Sequence, residues 1–170
     1  MRSTKRIIAL TAFAAGCAST ASSGWAADAT LEPTQGNTAS GTVSFVQKGD
    51  KVVVTARVSG LAPGGHGFHV HEKGDCSSGD GMSAGGHFNP QGKAHGNPSA
   101  PDHHAGDMPM LVADSGGVAN LTAELDVIAV GGGAADVIGK SVIVHKDPDD
   151  FTTQPTGNSG ARVACGVIRK

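Results

Sequence analysis

The sequence has few aromatic residues, few charged residues and few cysteines. Among its 170 residues there are five phenylalanines, one tryptophan, no tyrosine and three cysteines, and 16% of the residues are charged. No stretch of about 18 apolar residues occurs, so no segment predicts a membrane-spanning helix. The formal net charge is −2 and no basic stripe is present, which argues against a nucleic-acid-binding protein. What the chain does contain in quantity is glycine, with 26 residues, and histidine, with eight.

The first 26 residues have the pattern of an export leader. A basic stretch precedes a short apolar run over residues 7–15. Gly24 and Ala26 are small residues at the positions that a signal peptidase reads. We therefore predict cleavage after Ala26 and one mature domain over residues 27–170, in keeping with the chain length. Removal of the leader takes away three basic and no acidic residues, which leaves a formal charge of −5.

Two other roles for this segment remain open. An uncleaved N-terminal membrane anchor is one, although the apolar run is short for it. Lipid attachment at Cys17, after cleavage behind Gly16, is the other, although the leucine usually found three residues before such a cysteine is replaced by Ala14.

The two remaining cysteines, Cys76 and Cys165, predict a disulfide, because two cysteines in an exported protein usually pair. With about 90 residues between them, the chain-entropy model gives a stabilisation of roughly 4–5 kcal/mol. Such a bond would also tie a histidine-rich loop to the last strand of the chain.

Eight short runs of the sequence have strand character, and no run predicts a helix. The runs lie at residues 27–32, 39–46, 51–58, 68–71, 110–113, 118–125, 141–145 and 162–168. Glycine-rich turns separate several of them, and Pro63-Gly64-Gly65 predicts a connection. Short strands with frequent turn signals indicate an all-β sandwich or barrel.

Two long loops interrupt this pattern, at residues 72–110 and 147–159. Loops of this length inside a compact domain are usually functional or disordered, and composition alone would allow disorder. The histidines of the first loop and its Cys76 favour a loop ordered by metal and by a disulfide.

Seven of the eight histidines lie between Gly65 and Asp107. His69 and His71 are two apart on a predicted strand, so their side chains share a face. The candidate metal ligands are His69, His71, His87, His95, His103 or His104, Asp107 and His145. Because zinc takes four ligands, two ions account for this set more simply than one.

The ligand types narrow the choice of metals. Imidazole suits copper and zinc, an all-nitrogen tetragonal site favours Cu(II), and three imidazoles with one carboxylate suit tetrahedral zinc. Two-metal hydrolysis usually draws on several carboxylates, and this set has one.

Several segments together resemble the copper/zinc superoxide dismutase family. They are residues 67–72 (GFHVHE), 86–90 (GHFNP), 95–96 (HG), 106–107 (GD), 144–145 (VH) and 160–168 (GARVACGVI). Residues 72–76 (EKGDC) resemble the exported, periplasmic bacterial branch. The resemblance covers about residues 39–170 and is specific, because the spaced ligands match as a set.

The resemblance implies a fold and a ligand set. The fold would be an eight-stranded Greek-key β-sandwich or barrel with two long functional loops. Copper would be bound by His69, His71, His87 and His145. Zinc would be bound by His87, His95, His104 and Asp107, with His87 bridging both ions as an imidazolate.

His104 is preferred to His103 because it lies nine residues after His95 and three before Asp107, as in the family. We then expect His103 to be a solvated neighbour. His66 matches a structural position, and we expect it to support a loop by hydrogen bonds.

The resemblance also implies roles outside the ligand set. Arg162 would guide the anionic substrate, since a fixed guanidinium suits a small anion, and Asp149 would link the unligated nitrogens of His69 and His95. We expect Asp147 and Asp150 to be solvated loop charges. Lys73 is a candidate for substrate steering.

The implied activity is dismutation of superoxide to oxygen and hydrogen peroxide in the periplasm, with one copper and one zinc per chain. Copper would change redox state, while zinc would be structural. A metal-buffering domain without enzymatic activity is the alternative, but it predicts the loss of a copper ligand or of the arginine. A carbohydrate- or protein-binding sandwich leaves the histidines unexplained. Either a monomer or a homodimer fits this family.

Overall fold

The structure, a computed structural model, describes residues 24–170. The predicted leader lies outside the described residues except for its last three positions, and Cys17 also lies outside them. In the described range the chain forms nine strands: β1 Ala26–Pro33, β2 Ser40–Lys48, β3 Lys51–Ser59, β4 Gly64–His66, β5 Phe68–His71, β6 Leu111–Ala113, β7 Ala119–Leu125, β8 Ser141–His145 and β9 Arg162–Val167. The same range contains a single short 3-10 helix, Met82–Ala84, and no helix long and apolar enough to cross a membrane.

The strands form one antiparallel sheet that curls into a nearly closed barrel. Their order is β4-β6-β7-β3-β2-β1-β9-β8-β5. The two end strands, β4 and β5, are joined in the chain by Gly67 alone, which brings the ends of the sheet together. β3 pairs with β7 and not with its successor β4, as a Greek-key crossover requires. The predicted all-β fold is confirmed.

The strand that the sequence did not predict is β4. Residues 64–66 pair with β6, from Gly64 opposite Ala113 to His66 opposite Leu111. The Pro63-Gly64-Gly65 turn signal is local, whereas strand formation depends on the partner that the fold supplies.

The barrel interior follows from period-two alternation. β3 buries Val52, Val54, Ala56 and Val58 and turns the intervening side chains outward. β5 is different, because all four of its side chains are buried. Phe68 and Val70 join the barrel core, so His69 and His71 point to the outer face, where the long loops cover them.

The predicted disulfide between Cys76 and Cys165 is confirmed. It connects the first long loop to β9, across 89 positions of sequence. Ala84 and Ile143 pack with Cys165, and Cys76 lies against this group. A small second core therefore fixes the loop on the outer face of the barrel, beside the two histidines of β5.

Candidate metal centre

The edge of β5 that does not pair with another strand positions the loop residues of the site. One edge of this strand pairs with β8, and the loop backbone lies along the other edge. The Val70 N–H donates to Gly106 O (2.9 Å), and the Phe88 N–H donates to Val70 O (2.8 Å). His87 is thereby placed opposite His71, and Asp107 opposite His69. Backbone hydrogen bonding therefore brings distant residues to one face.

The first cluster consists of four histidines, and the structure brings together all four residues predicted to bind copper. His69, His71, His87 and His145 each offer one ring nitrogen, within 4.8 Å of the others. All four side chains are buried. Among the buried side-chain nitrogen and oxygen atoms of residues 24–170, those without a hydrogen-bond partner are His69 Nδ1, His71 Nε2, His87 Nε2 and His145 Nε2. Buried polar atoms are normally paired, so this set fits a metal ion.

The second nitrogen of each of these rings has a partner. His69 Nε2–H donates to Asp149 Oδ2 (2.6 Å), and His71 Nδ1–H donates to the Gly85 carbonyl (2.9 Å). His145 Nδ1 lies 3.2 Å from the Gly160 carbonyl. His87 Nδ1 faces the second cluster instead. Such partners fix the tautomer and the orientation of a metal-binding imidazole.

Burial keeps the first cluster neutral at pH 7. It lowers the pKa of His145 to about 3 and that of His87 to about 4. The pKa values of His69 and His71 are also lowered, chiefly by burial. A neutral imidazole has the free lone pair that a metal needs.

The second cluster is built around one carboxylate. Asp107 Oδ1 lies 2.9 Å from His87 Nδ1, 3.0 Å from His95 Nδ1 and 3.4 Å from His104 Nδ1. Its Oδ2 accepts hydrogen bonds from the backbone N–H groups of Gly96 and His104. Burial alone would raise the pKa of Asp107, but the three histidines hold it well below its usual range. Three imidazole nitrogens and one carboxylate fit tetrahedral zinc.

Asp149 connects the two clusters. Its Oδ2 accepts from His69, and its Oδ1 lies 2.9 Å from His95 Nε2. Burial lowers the pKa of His95, but hydrogen bonds with Asp107 and Asp149 outweigh it and raise that pKa to about 9. Asp149 thus contacts the two histidines with which sequence reasoning paired it. Its neighbours Asp147 and Asp150 are exposed, as predicted.

Of the predictions for the two remaining histidines, the one for His66 is confirmed and the one for His103 is wrong. His66 contacts two backbone carbonyls, those of His145 and Ala62, both at 2.8 Å, so the predicted loop support is confirmed. The prediction of a solvated His103 is wrong, because this side chain is buried and its Nδ1–H donates to the His104 carbonyl (2.7 Å). Residues 103–108 are all buried against the barrel, so both adjacent histidines are covered. His103 still lies outside both clusters.

A cavity of about 520 Å³ opens beside the first cluster and contains Arg162 and His145. The Arg162 guanidinium donates to the carbonyls of Gly81 (2.8 Å) and Gly85 (2.7 Å). The Gly85 carbonyl also accepts from His71, which ties the arginine to the four-histidine cluster. Lys73, the candidate steering residue, is exposed and is not part of the cavity lining.

Sequence reasoning missed three glycines of the site. Gly81 and Gly85 act through backbone carbonyls, which leave no side-chain signal. Gly157 has a φ of +68°, and a Cβ there would overlap the Asp149 carboxylate. The turn-forming segment Thr156-Gly157-Asn158 was a local signal for this close approach.

Comparisons with known proteins agree with this geometry. The family model for copper/zinc superoxide dismutase (SODC) matches residues 39–168. Superoxide dismutase [Cu-Zn] 2 from Brassica juncea is 45% identical over 135 residues, which cover 75% of this chain and 88% of the plant protein. The solved structure of the clock protein EA4 is similar, with a TM-score of 0.78 and 40% identity, over 86% of this chain and 94% of that one.

Proposed function

Because the chain belongs to the copper/zinc superoxide dismutase family, we propose that its four-histidine cluster binds copper and its Asp107 cluster binds zinc. The protein is a superoxide dismutase, which converts superoxide to oxygen and hydrogen peroxide, with copper and zinc as cofactors. The observation that carries the site assignment is the set of four buried ring nitrogens without hydrogen-bond partners. Each comes from a different histidine, and each belongs to the cluster predicted for copper.

Bound copper supplies the one-electron redox change that the reaction needs and that zinc does not undergo. The imidazole ring of His87 is shared by the two clusters. His87 has its Nε2 in the first cluster and its Nδ1 in the second. We assign to His87 Nε2 the position that takes up and releases a proton during turnover, while the second cluster orients the ring through Nδ1.

Arg162 is proposed as the group that receives the anion. A guanidinium has five N–H donors, and the carbonyls of Gly81 and Gly85 accept from two of its nitrogens. The side chain is therefore fixed, and its remaining donors are available on the cavity side. Placed in the same cavity as His145, a fixed cation attracts superoxide toward the copper cluster.

Metal analysis combined with a cyanide-sensitive superoxide assay on the mature protein tests the proposal. The expected result is one copper and one zinc per chain with cyanide-sensitive dismutation. Full loading with both metals and no dismutation would instead identify a copper- and zinc-buffering domain.

We further propose that the protein is an exported, periplasmic member of the bacterial branch, made with a leader over residues 1–26. Two features support export: the leader pattern of the sequence and the Cys76–Cys165 disulfide, which needs an oxidising compartment. In the folded chain the Trp25 carbonyl accepts from the Gln47 N–H (2.8 Å), and Ala26 pairs with Val46. Cleavage after Ala26 would remove both contacts and leave Ala27 opposite Phe45 as the first strand pair.

Intact-mass measurement of protein purified from fractionated bacterial cells tests this proposal. A periplasmic chain beginning at Ala27 would support both export and the cleavage site. A periplasmic chain that retains Trp25 would move the cleavage site, a diacylglyceryl group on Cys17 would replace cleavage by lipid anchoring, and an uncleaved cytoplasmic chain would contradict export.

A further inference from the structure

The cavity beside the four-histidine cluster contains two side chains of opposite charge. Arg162 is the cation and Asp80 is the anion. Of the other lining residues, His145 is a proposed copper ligand, and Thr34, Gln35, Asn37, Met82, Thr156, Gly160 and Ala161 have no ionisable side chain. Arg162 and Asp80 therefore supply the two formal side-chain charges of this lining, and these charges are opposite.

Asp80 is fixed close to the arginine by backbone contacts. Its Oδ1 accepts a hydrogen bond from the Met82 N–H (2.9 Å), the first residue of the 3-10 helix. The next residue, Gly81, offers the carbonyl to which Arg162 donates. The hydrogen bond from Met82 is the main cause that lowers the pKa of Asp80, and Arg162 adds to it. Asp80 is thus an anion at neutral pH, and it is adjacent to Gly81, whose carbonyl accepts a hydrogen bond from Arg162.

A negative charge in this position acts against an anionic substrate. The predicted mature domain has a formal charge of −5, so any attraction of superoxide must be local to the cavity. Asp80 lines the same cavity as Arg162, and its charge acts on an incoming anion in the opposite direction to that of Arg162.

We propose that Asp80 limits the rate at which superoxide enters the cavity, by cancelling part of the attraction that Arg162 exerts on the anion. This inference rests on the proposed copper cluster and on the proposed role of Arg162. Asp80 would therefore affect the rate of substrate entry, although it belongs to neither metal cluster.

The test compares Asp80→Asn with the matched control Asp50→Asn in the copper- and zinc-loaded protein. Asparagine retains the side-chain oxygen that accepts from the Met82 N–H, so the local fold is preserved. Asp50 is also exposed, and it lies in the β2–β3 turn near the Ala26–Val46 pair. Thr34, which lines the cavity, follows the opposite end of β1, roughly 25 Å away at about 3.3 Å per residue. Both variants remove one negative charge, but only Asp80→Asn removes it from the cavity lining.

The first readout is kcat/KM for superoxide as a function of ionic strength. We expect Asp80→Asn to raise kcat/KM about two- to threefold at low salt, since one unit charge near the anion path is worth that much in water. The gain should fade above about 0.15 M ionic strength, where charges more than about 8 Å apart are screened. Asp50→Asn should change little. Equal gains in both variants, or no gain in either, would overturn the proposal.

The second readout is azide binding, followed by the change in the visible absorption of the copper-loaded protein. Azide is a small anion that reports entry and binding without turnover. We expect its affinity to increase two- to threefold in Asp80→Asn and not in Asp50→Asn. If the wild-type protein bound both metals but failed to dismutate, the proposed function would fail while this titration still decided the role of Asp80. Unchanged azide affinity in Asp80→Asn would reject that role.

Discussion

The two clusters share one histidine, yet they differ in how their donor atoms are satisfied. In the four-histidine cluster every inward-facing nitrogen is buried and without a hydrogen-bond partner, and burial lowers the pKa of all four rings. In the Asp107 cluster the donor atoms already contact one another, and two carboxylates raise the pKa of His95. The first cluster is neutral and contributes His145 to the lining of a cavity, whereas the donor atoms of the second cluster contact one another and none of its residues lines that cavity. This difference separates a site suited to a reacting metal from a site suited to a structural one.

The largest effect is expected when the shared ring is removed. In His87→Ala each cluster loses one ligand, so we expect loss of bound copper and of bound zinc, and activity at the background of the metal-free protein. Metal content by mass spectrometry and the superoxide assay measure this. His103→Ala is the matched control, because His103 is a buried histidine outside both clusters. A His87→Ala protein that retained copper and turned over superoxide would refute the shared-ligand assignment.

The opposite pKa shifts predict how the stability of the metal-free protein depends on pH. Burial lowers the folded pKa of all four first-cluster histidines below the unfolded value of about 6.5. Their contribution to stability is therefore present above that value and is lost as the pH falls, through about 4 for His87 and about 3 for His145. His95 acts in the opposite sense, with a contribution present below about 6.5 and lost as the pH rises through about 9.

Below pH 6.5 the loss of stability from the four first-cluster histidines is larger than any gain from His95. We expect the free energy of unfolding of the metal-free protein to fall by several kcal/mol, in order of magnitude, between pH 6.5 and 4. Denaturant melts across this range measure the effect. Stability that stayed constant down to pH 4 would mean that these rings protonate inside the fold, contrary to the account of the first cluster.

Asp149→Ala should weaken both clusters together, because the carboxylate contacts a ring from each. Loss of such an orienting partner typically costs about 10- to 100-fold in metal affinity, and we expect a loss in this range for zinc and a loss of copper retention. Competition titrations with chelators provide the measurement. Asp150→Ala, an exposed neighbour on the same loop, should leave both affinities unchanged. Unaltered zinc affinity in Asp149→Ala would remove this residue from the site.

The smallest of these effects concerns the arginine, which acts on substrate and not on metal. Arg162→Ala should reduce kcat/KM for superoxide by about tenfold, since a unit charge about 4 Å from an anion is worth at least about 1 kcal/mol. Copper and zinc content should stay at wild-type levels. Arg57→Ala removes the same charge from β3, where the side chain contacts Asn120, and should have little effect. Copper loss in Arg162→Ala would indicate a structural role in place of a guiding one.

The parts of the molecule that could be predicted from sequence are those fixed by short-range periodicity or by ligand spacing. The strand-forming run at residues 51–58 predicted β3, and the two-residue spacing of His69 and His71 predicted their common face. β4 was missed, because its strand character comes from pairing with β6 across the barrel. The burial of His103 was missed for a similar reason, since the packing of residues 103–108 depends on the free edge of β5. The Gly81 and Gly85 carbonyls are main-chain groups, so no side chain pointed to them.

Anomalous diffraction at the copper and zinc absorption edges, from crystals of the protein loaded with both metals, tests the central assignment most directly. We expect a copper peak among the ring nitrogens of His69, His71, His87 and His145. We expect a separate zinc peak beside Asp107, with His87 between the two. Zinc in the four-histidine cluster with copper beside Asp107, or a single peak in place of two, would contradict this assignment.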